Sequence, residues 1–155
     1  MKFLIQRVTE ASVFISGEVV GEIGKGFFVL VGVNDSDTEE VADKMVKKLV
    51  GLRIIADENG KTNLSLADAK GSLLIVSQFT LYADCKKGNR PSFIKAGSPE
   101  HAEHIYDYIV DKCKDWIKGQ GLTDSIVATG RFGADMCCRI VNDGPFTIDL
   151  DSEEL

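Results

Sequence analysis

The sequence has few of the residue types on which nucleophilic catalysis usually depends. It contains two histidines, His101 and His104, and the helical periodicity predicts that both lie on the surface of their helix. A Ser-His-Asp or Cys-His arrangement is therefore poorly supported. The cysteines form no CxxC pair, so we expect free thiols that hold no metal; they are Cys85, Cys113, Cys137 and Cys138.

Long apolar runs and an excess of positive charge are also missing. No apolar run approaches the roughly 20 residues that span a bilayer, and the first residues lack the apolar core and cleavage site of a signal peptide. We therefore expect a cytoplasmic protein with no membrane partner. The net charge of −6 argues against a protein that coats nucleic acid by bulk charge, and no DNA partner is expected. A local basic patch is still compatible with an acidic body.

The hydrophobic pattern predicts one α/β domain. A length of 155 residues suits a single domain. The apolar runs 27–33 and 73–81 indicate strands buried on both faces, and apolar stripes predict helices at about 38–52 and 99–118. Further strands are expected at 2–8, 12–16, 18–23, 53–56, 125–129, 136–142 and 146–150. The expected fold class is α/β, a single compact domain (1–155) of mainly antiparallel strands with two main helices.

Polar side chains end the second buried strand. Ser77, Gln78 and Thr80 follow four apolar residues, and a polar group in a buried strand must find a partner or cost about 1–3 kcal/mol. Two interpretations are open. The strand emerges into solvent at this point, or its end forms the floor of a pocket that directs hydroxyls and an amide at a ligand.

The segment 82–98 concentrates positive charge. The segment contains a single carboxylate, Asp84, and four basic residues: Lys86, Lys87, Arg90 and Lys95. On an acidic protein this pattern indicates a small footprint for phosphates, and the alternative is a solvated loop without function. Its 17 residues are many for an idle loop, which favours the first interpretation.

Arg7 and the Gly144–Pro145 step are the remaining candidates. Arg7 follows Phe3 and Ile5 on one strand face, where it needs carbonyl or carboxylate acceptors; the alternative is a salt bridge at the rim. Pro145 cannot donate to a sheet ladder, so it marks an edge or a break. From the residues alone, the Gly144–Pro145 step is either a tight trans turn, which is the commoner case, or a cis peptide bond.

Taken together, these stretches resemble the D-aminoacyl-tRNA deacylase family. The family motif SQxTL stands here as Ser77-Gln78-Phe79-Thr80-Leu81, and NxGPxT stands here as Asn142, Gly144, Pro145 and Thr147. The blocks QRVTEASV, GEVVGEIGKG, RPSF and TGRFGADM are also similar, so the resemblance covers essentially the whole chain. Each motif alone is moderately specific, but both motifs in this order and at this spacing are highly specific.

The resemblance implies hydrolysis of the ester that links a D-amino acid to the 3′-terminal adenosine of tRNA. L-Aminoacyl-tRNA is spared, and glycyl-tRNA is a further candidate substrate. The implied assembly is a homodimer with active sites at the interface. The sequence itself gives no sign of a metal or an organic cofactor. The adenosine and the ester would be held by Ser77, Gln78, Phe79 and Thr80.

The second motif would select the D enantiomer. The resemblance implies that Gly144 and Pro145 are joined by a cis bond and enter the pocket of the partner chain, where they leave no room for an L side chain. Asn142 and Thr147 belong to the same substrate-binding motif, and Arg7 would brace the loop. We further infer that Lys86, Lys87 and Arg90 contact the acceptor end of tRNA.

Two mechanisms are open, and we prefer the second. In the first, Thr80 Oγ1 is a nucleophile and forms an acyl-enzyme, but the sequence offers no base to activate it. In the second, water attacks with help from the 2′-OH of the substrate adenosine, and backbone N–H groups near Phe79 and Thr80 stabilise the oxyanion. A different class of function is a non-catalytic module that binds a tRNA end or a protein.

Overall fold

The computed structural model describes all 155 residues. The elements follow in the order β1 (Lys2–Ile15), β2 (Glu18–Ile23), β3 (Gly26–Gly32), α1 (Glu39–Gly51), β4 (Ile55–Ala56), β5 (Thr62–Leu64), β6 (Ser72–Ser77), α2 (Pro99–Gly119), β7 (Val127–Thr129) and β8 (Cys137–Asp151). Short 3-10 helices cover Phe79–Tyr82 and Ser152–Glu154. The predicted α/β class, with mainly antiparallel strands and two main helices, is confirmed.

The long strand β1 organises the main sheet. β8 pairs antiparallel along one side of it, and β3 and β2 pair antiparallel, one after the other, along the opposite side. The prediction of two separate strands at 2–8 and 12–16 was wrong. The chain continues as one strand through a register shift between Val8 and Glu10. Phe3 and Ile5 face one core, and Ala11 and Val13 face another. Such a bulge interrupts the simple alternation from which strands are recognised.

Strands β3, β6 and β7 form the parallel part of the sheet. β3 and β6 are buried almost throughout, as the two apolar runs predicted. Val29 and Ile75 belong to the larger core, and Phe28 and Leu74 belong to the smaller one on the other face. Because the three strands run in one direction, their carboxyl ends lie along the same edge of the sheet.

The two α-helices belong to the larger core. Thr38 begins α1 by accepting the N–H of Val41 on its Oγ1 at 3.3 Å, and Pro99 stands in the first turn of α2. Each helix matches its predicted range to within one residue. Fully buried side chains such as Met45 and Ile109 each stabilise the fold by about 1.5–3 kcal/mol. Neither helix combines the length and hydrophobicity that a membrane crossing needs.

Two further strand predictions need correction. β6 ends at Ser77 and not at Leu81, because the chain turns into the 3-10 helix Phe79–Tyr82. Leu81 then lies against Gly32, where an added Cβ would be 3.0 Å from the Leu81 Cβ, a long-range contact that no local pattern encodes. The strands predicted at 136–142 and 146–150 form the single strand β8, because pairing with β1 resumes at Thr147.

Candidate active site

A cavity of about 560 Å³ opens at the carboxyl ends of the parallel strands. Its wall combines residues that follow β3 (Val33), β6 (Gln78, Phe79) and β7 (132–136) with the start of α2. Ligands of α/β proteins characteristically bind at this edge of the sheet, where loops from several strands converge. Most of the lining side chains are apolar, so the cavity suits a ligand with a hydrophobic part and a few fixed polar groups.

The first motif lies at the mouth of this cavity. Ser77, Gln78 and Phe79 line it, whereas Thr80 does not and is exposed. Gln78 Nε2 donates a hydrogen bond of 2.6 Å to Thr80 Oγ1, so the amide joins the cavity wall to the hydroxyl outside it. Two interpretations of the strand end were open. Ser77 and Gln78 fit one of them, a pocket floor, and Thr80 fits the other, a strand that emerges into solvent.

Backbone N–H groups are also available at this point. The Gln78 N–H still belongs to the sheet, because it donates to Val31 O at 2.7 Å. The next residues, Phe79 and Thr80, open the 3-10 helix, and no side chain caps it. The first N–H groups of a helix have no acceptor inside the helix. Those of Phe79 and Thr80 are therefore suited to stabilising an oxyanion.

Aromatic rings border the cavity. The rings of Phe79 and Phe93 meet edge to face with centroids 5.1 Å apart, and Phe79 is 57% exposed. Deeper in the wall, Tyr106 is buried and its hydroxyl donates to Ile75 O at 2.8 Å. Burial raises the pKa of Tyr106, so its hydroxyl keeps its proton at neutral pH and acts as a structural donor.

The loop 82–98 forms part of the rim, because Phe93, Ala96 and Gly97 line the cavity. Its four basic side chains are not equivalent. Lys95 pairs with Asp84 at 3.3 Å, and Asp84 also accepts the backbone N–H of Lys86. That N–H, and then Lys95, hold the pKa of the Asp84 carboxyl below its ordinary value. The side chains of the others are exposed and form no ion pair; they are Lys86, Lys87 and Arg90.

Arg7 holds the segment 143–146 against the body of the chain. Its Nε donates to Asp143 O at 3.0 Å, and its Nη1 donates to Ile54 O at 2.7 Å. The guanidinium also lies 4.7 Å from the centre of the Phe146 ring and 3.3 Å from the Asp143 carboxylate. Backbone acceptors and a rim salt bridge, the two alternatives posed by the sequence, are therefore both present.

The second motif orders this segment from within. Asn142 Oδ1 accepts the N–H of Phe146 at 2.7 Å, and Asn142 Nδ2 donates to Thr147 Oγ1 at 3.2 Å. The Gly144–Pro145 peptide bond is cis, as the resemblance implied. Gly144 and Pro145 are exposed and do not line the cavity that contains Ser77 and Gln78. A single chain thus presents the two motifs at different places.

Other chemistry is not assembled around the cavity. His101 contacts Asp37 O, and His104 pairs with Glu39, so neither histidine reaches the first motif. The four cysteines are free, as predicted. No three residues among histidine, cysteine, aspartate and glutamate converge to form a metal site.

Comparison with known proteins decides the family. A family model described as D-Tyr-tRNA(Tyr) deacylase matches residues 4–151. The chain belongs to this family. It is 51% identical over 154 residues to D-aminoacyl-tRNA deacylase of Clostridium novyi (strain NT), with 99% of each chain covered. It is 50% identical over 147 residues to the D-aminoacyl-tRNA deacylase of Escherichia coli O81 (strain ED1a), with 95% of this chain and 97% of that chain covered.

Solved structures agree with the D-Tyr-tRNA(Tyr) deacylase fold. A structure described as c-Myc DNA unwinding element binding protein superposes with a TM-score of 0.88 at 40% identity, covering 97% of this chain and 98% of that chain. A structure described as a probable eukaryotic D-amino acid tRNA deacylase has a TM-score of 0.81 at 18% identity, covering 96% and 97%. The second likeness concerns the fold alone.

Several residues that line the cavity were not predicted from the sequence as site residues. Tyr106 was predicted only to belong to the apolar stripe of its helix. The block TGRFGADM contains further lining residues, among them Phe132, Asp135 and Met136, to which no role was assigned. No periodic pattern marks that loop. The available signal was its position directly after a predicted strand, at the edge of the sheet where the first motif also ends.

Proposed function

We propose that this protein hydrolyses the ester bond of D-aminoacyl-tRNA in the cytoplasm, releasing the free D-amino acid and tRNA. The observation that carries the proposal is the cavity at the carboxyl ends of the parallel strands, with Ser77, Gln78 and Phe79 in its wall, in a chain that belongs to this family. Glycyl-tRNA is a second candidate substrate. The reaction needs no cofactor in this proposal.

The cavity would hold the terminal adenosine and the ester. Its apolar lining and the exposed Phe79–Phe93 pair suit the flat face of a base, because aromatic rings stack on bases without regard to sequence. Ser77 and Gln78 supply a hydroxyl and an amide that can orient the ribose or the ester. Lys86, Lys87 and Arg90 on the rim loop would meet the phosphates of the acceptor end.

Chirality would be selected by a second copy of the chain. Gly144 and Pro145 are held in place by Arg7 and Asn142 but do not line the cavity of their own chain. We propose a homodimer in which this segment enters the partner's cavity, with Asn142 and Thr147 supporting it. Its backbone carbonyls would lie beside the α-carbon of the substrate and exclude an L side chain, whatever the side chain is.

Water is the preferred nucleophile. Thr80 Oγ1 accepts a hydrogen bond from the Gln78 amide, and an amide is not a base that could take the hydroxyl proton. Water attack assisted by the adenosine 2′-OH avoids this difficulty. The N–H groups of Phe79 and Thr80 would stabilise the oxyanion, and one such donor typically contributes about 10²–10³ in rate.

The decisive experiment measures amino acid release from D-Tyr-tRNA and L-Tyr-tRNA by the purified protein. Release from the D substrate alone is expected. No release from either substrate would instead support a non-catalytic module that binds a tRNA end or a protein. The net charge of −6 makes a role based on bulk attraction to DNA unfavourable.

Two changes separate the mechanisms. Thr80→Ala should largely preserve turnover if water is the nucleophile, and should abolish it if Thr80 forms an acyl-enzyme. A terminal 2′-deoxyadenosine should cripple the reaction only if the substrate hydroxyl assists. Full loss with Thr80→Ala together with normal turnover of the deoxy substrate would reverse our preference.

Subunit complementation tests the shared site. Gln78→Ala alters the cavity, and Gly144→Ala alters the entering segment, because a Cβ on Gly144 would approach Arg7 Nη2 to 3.0 Å at a φ of +135°. Each variant alone should be inactive, since Gln78→Ala removes a group that orients the ester and a segment displaced by the added Cβ would obstruct the cavity that it enters. After unfolding and refolding of an equal mixture, activity should return to about a quarter of that of the wild type, since half the dimers are mixed and each has one intact site of two. A mixture that stays inactive would show that both motifs serve the site of their own chain.

A further inference from the structure

Asp135 is the only charged side chain in the wall of the main cavity. It lies in the loop that follows β7, where its neighbours Ala134 and Met136 also line the cavity. Asp135 is exposed and takes part in no ion pair or side-chain hydrogen bond within the chain. The carboxylate is therefore free to accept a hydrogen bond from a ligand.

The surroundings of Asp135 do not neutralise it. It also borders a smaller cavity of about 320 Å³, which Arg139 of β8 lines as well. The Arg139 guanidinium lies over the Phe14 ring, 4.6 Å from its centre, and makes no ion pair with Asp135. Asp135 therefore contributes the one formal charge in the wall of the main cavity, and no ion pair within the chain neutralises it.

A carboxylate in the cavity wall discriminates between the parts of a charged substrate. Phosphate groups are repelled from it and are left to the basic rim loop, whereas a cation is attracted. An aminoacyl-tRNA carries one cation near its ester, the α-ammonium group, and α-amino groups have pKa values of about 7.7–8.0. A large fraction of the substrate is therefore protonated at neutral pH and complements a carboxylate.

We propose that Asp135 binds the α-ammonium of the aminoacyl group and thereby fixes the position of the ester. This inference rests on the proposed function and adds a substrate-binding residue to it. Hydrogen bonds to charged groups are stronger than those between neutral groups. Because Asp135 is open to solvent, a KM effect of about tenfold is expected.

The first test is Asp135→Asn with D-Tyr-tRNA. KM should rise about tenfold while kcat changes little, and Asp135→Glu should restore most of the loss. The matched control is Asp124→Asn, which removes another exposed, unpaired carboxylate that lines a different cavity. Loss of negative charge in general should strengthen tRNA binding. The control should therefore leave KM unchanged or lower it, opposite in sign to the effect at Asp135.

The second test uses a neutral substrate of the same shape, D-4-hydroxyphenyllactyl-tRNA, which has a hydroxyl in place of the ammonium. Asp135→Asn should reduce the preference for D-Tyr-tRNA over this analogue about tenfold, and Asp124→Asn should not change the preference. Because each variant is compared with the wild type on the same two substrates, the different intrinsic reactivities of the two esters cancel.

These outcomes separate this inference from the proposed function. An unchanged preference in Asp135→Asn overturns the ammonium contact while the wild type still releases D-tyrosine. A collapse of kcat at constant KM also overturns it, because the carboxylate would then act as a base on the attacking water. If the wild type releases no amino acid, the proposed function fails first.

Discussion

Replacing Arg7 by methionine should destabilise the protein and weaken its choice between D and L substrates. Methionine keeps the unbranched, apolar part of the side chain but donates no hydrogen bond. The two bonds lost, to Asp143 O at 3.0 Å and Ile54 O at 2.7 Å, come from a charged donor. The Arg7 side chain is 11% exposed, so solvent compensates its loss only in part.

The expected magnitude follows from these contacts. A hydrogen bond that involves a charged group contributes about 1.5–3 kcal/mol. The Asp143 side is open to water, since that residue is exposed, so we take the lower value for each bond and expect a loss of about 3 kcal/mol. The contact with the Phe146 ring adds roughly 0.5–1 kcal/mol.

Urea denaturation followed by the fluorescence of Trp116, the only tryptophan, measures the free energy of unfolding. Amino acid release from D-Tyr-tRNA and L-Tyr-tRNA measures the discrimination, which should fall because the segment 143–146 loses its anchor. Lys112→Met is the charge-matched control, since Lys112 contacts only Asp43 and the Tyr108 ring, at the surface of α2. The control should alter neither quantity.

Two outcomes would refute this reasoning in different ways. A loss of less than about 1 kcal/mol would show that solvent replaces both hydrogen bonds to Arg7. A loss of the expected size with unchanged discrimination would show that Arg7 stabilises the fold without contributing to the selection of the substrate.

Two predictions concern the region between β3 and the helices. Asp37→Asn breaks the buried ion pair with the Met1 ammonium at 2.7 Å and should cost about 3 kcal/mol, seen as a fall in Tm of roughly 10 °C; an unchanged Tm would contradict it. Asp35 accepts the Ser98 N–H at 2.7 Å, which lowers the pKa of its carboxyl from 3.8. That stabilisation is present above the unfolded pKa and is lost as pH falls through the folded pKa. Stability should therefore fall less between about pH 5 and pH 2 in Asp35→Asn than in the wild type, and equal slopes would contradict this.

The parts of the fold that could be predicted from sequence are those whose pattern is local. The apolar runs in β3 and β6 indicated strands buried on both faces because sheet burial removes the need for polar side chains. The helix ranges followed from the apolar stripes, and the structure shows that Thr38 and Pro99 begin the two helices within one turn of the predicted starts. The strand predicted at 146–150 likewise forms the end of β8, where Phe146, Ile148 and Leu150 pack against the larger core.

The parts that could not be predicted depend on partners distant in sequence. β6 ends at Ser77, and the turn that follows places Leu81 against Gly32. The apolar run of the sequence does not predict that contact. Asp135 and Met136 reach the cavity only because β7 lies beside β6 in parallel. Side-chain identity indicated the chemistry of Ser77 and Gln78, but the strand order determined which other residues join them.

The segment 143–146 is positioned by contacts from Arg7 and Asn142. The sheet pairs Gln6 with Thr147 and Val8 with Asn142, so four residues of β8 stand opposite Arg7 alone. Ordering each residue costs about 1–2 kcal/mol of backbone entropy, and the exposed Gly144 and Pro145 return none of it by burial in their own chain. The anchoring contacts from Arg7 therefore favour a role in trans, as the proposed entry into a partner's cavity requires.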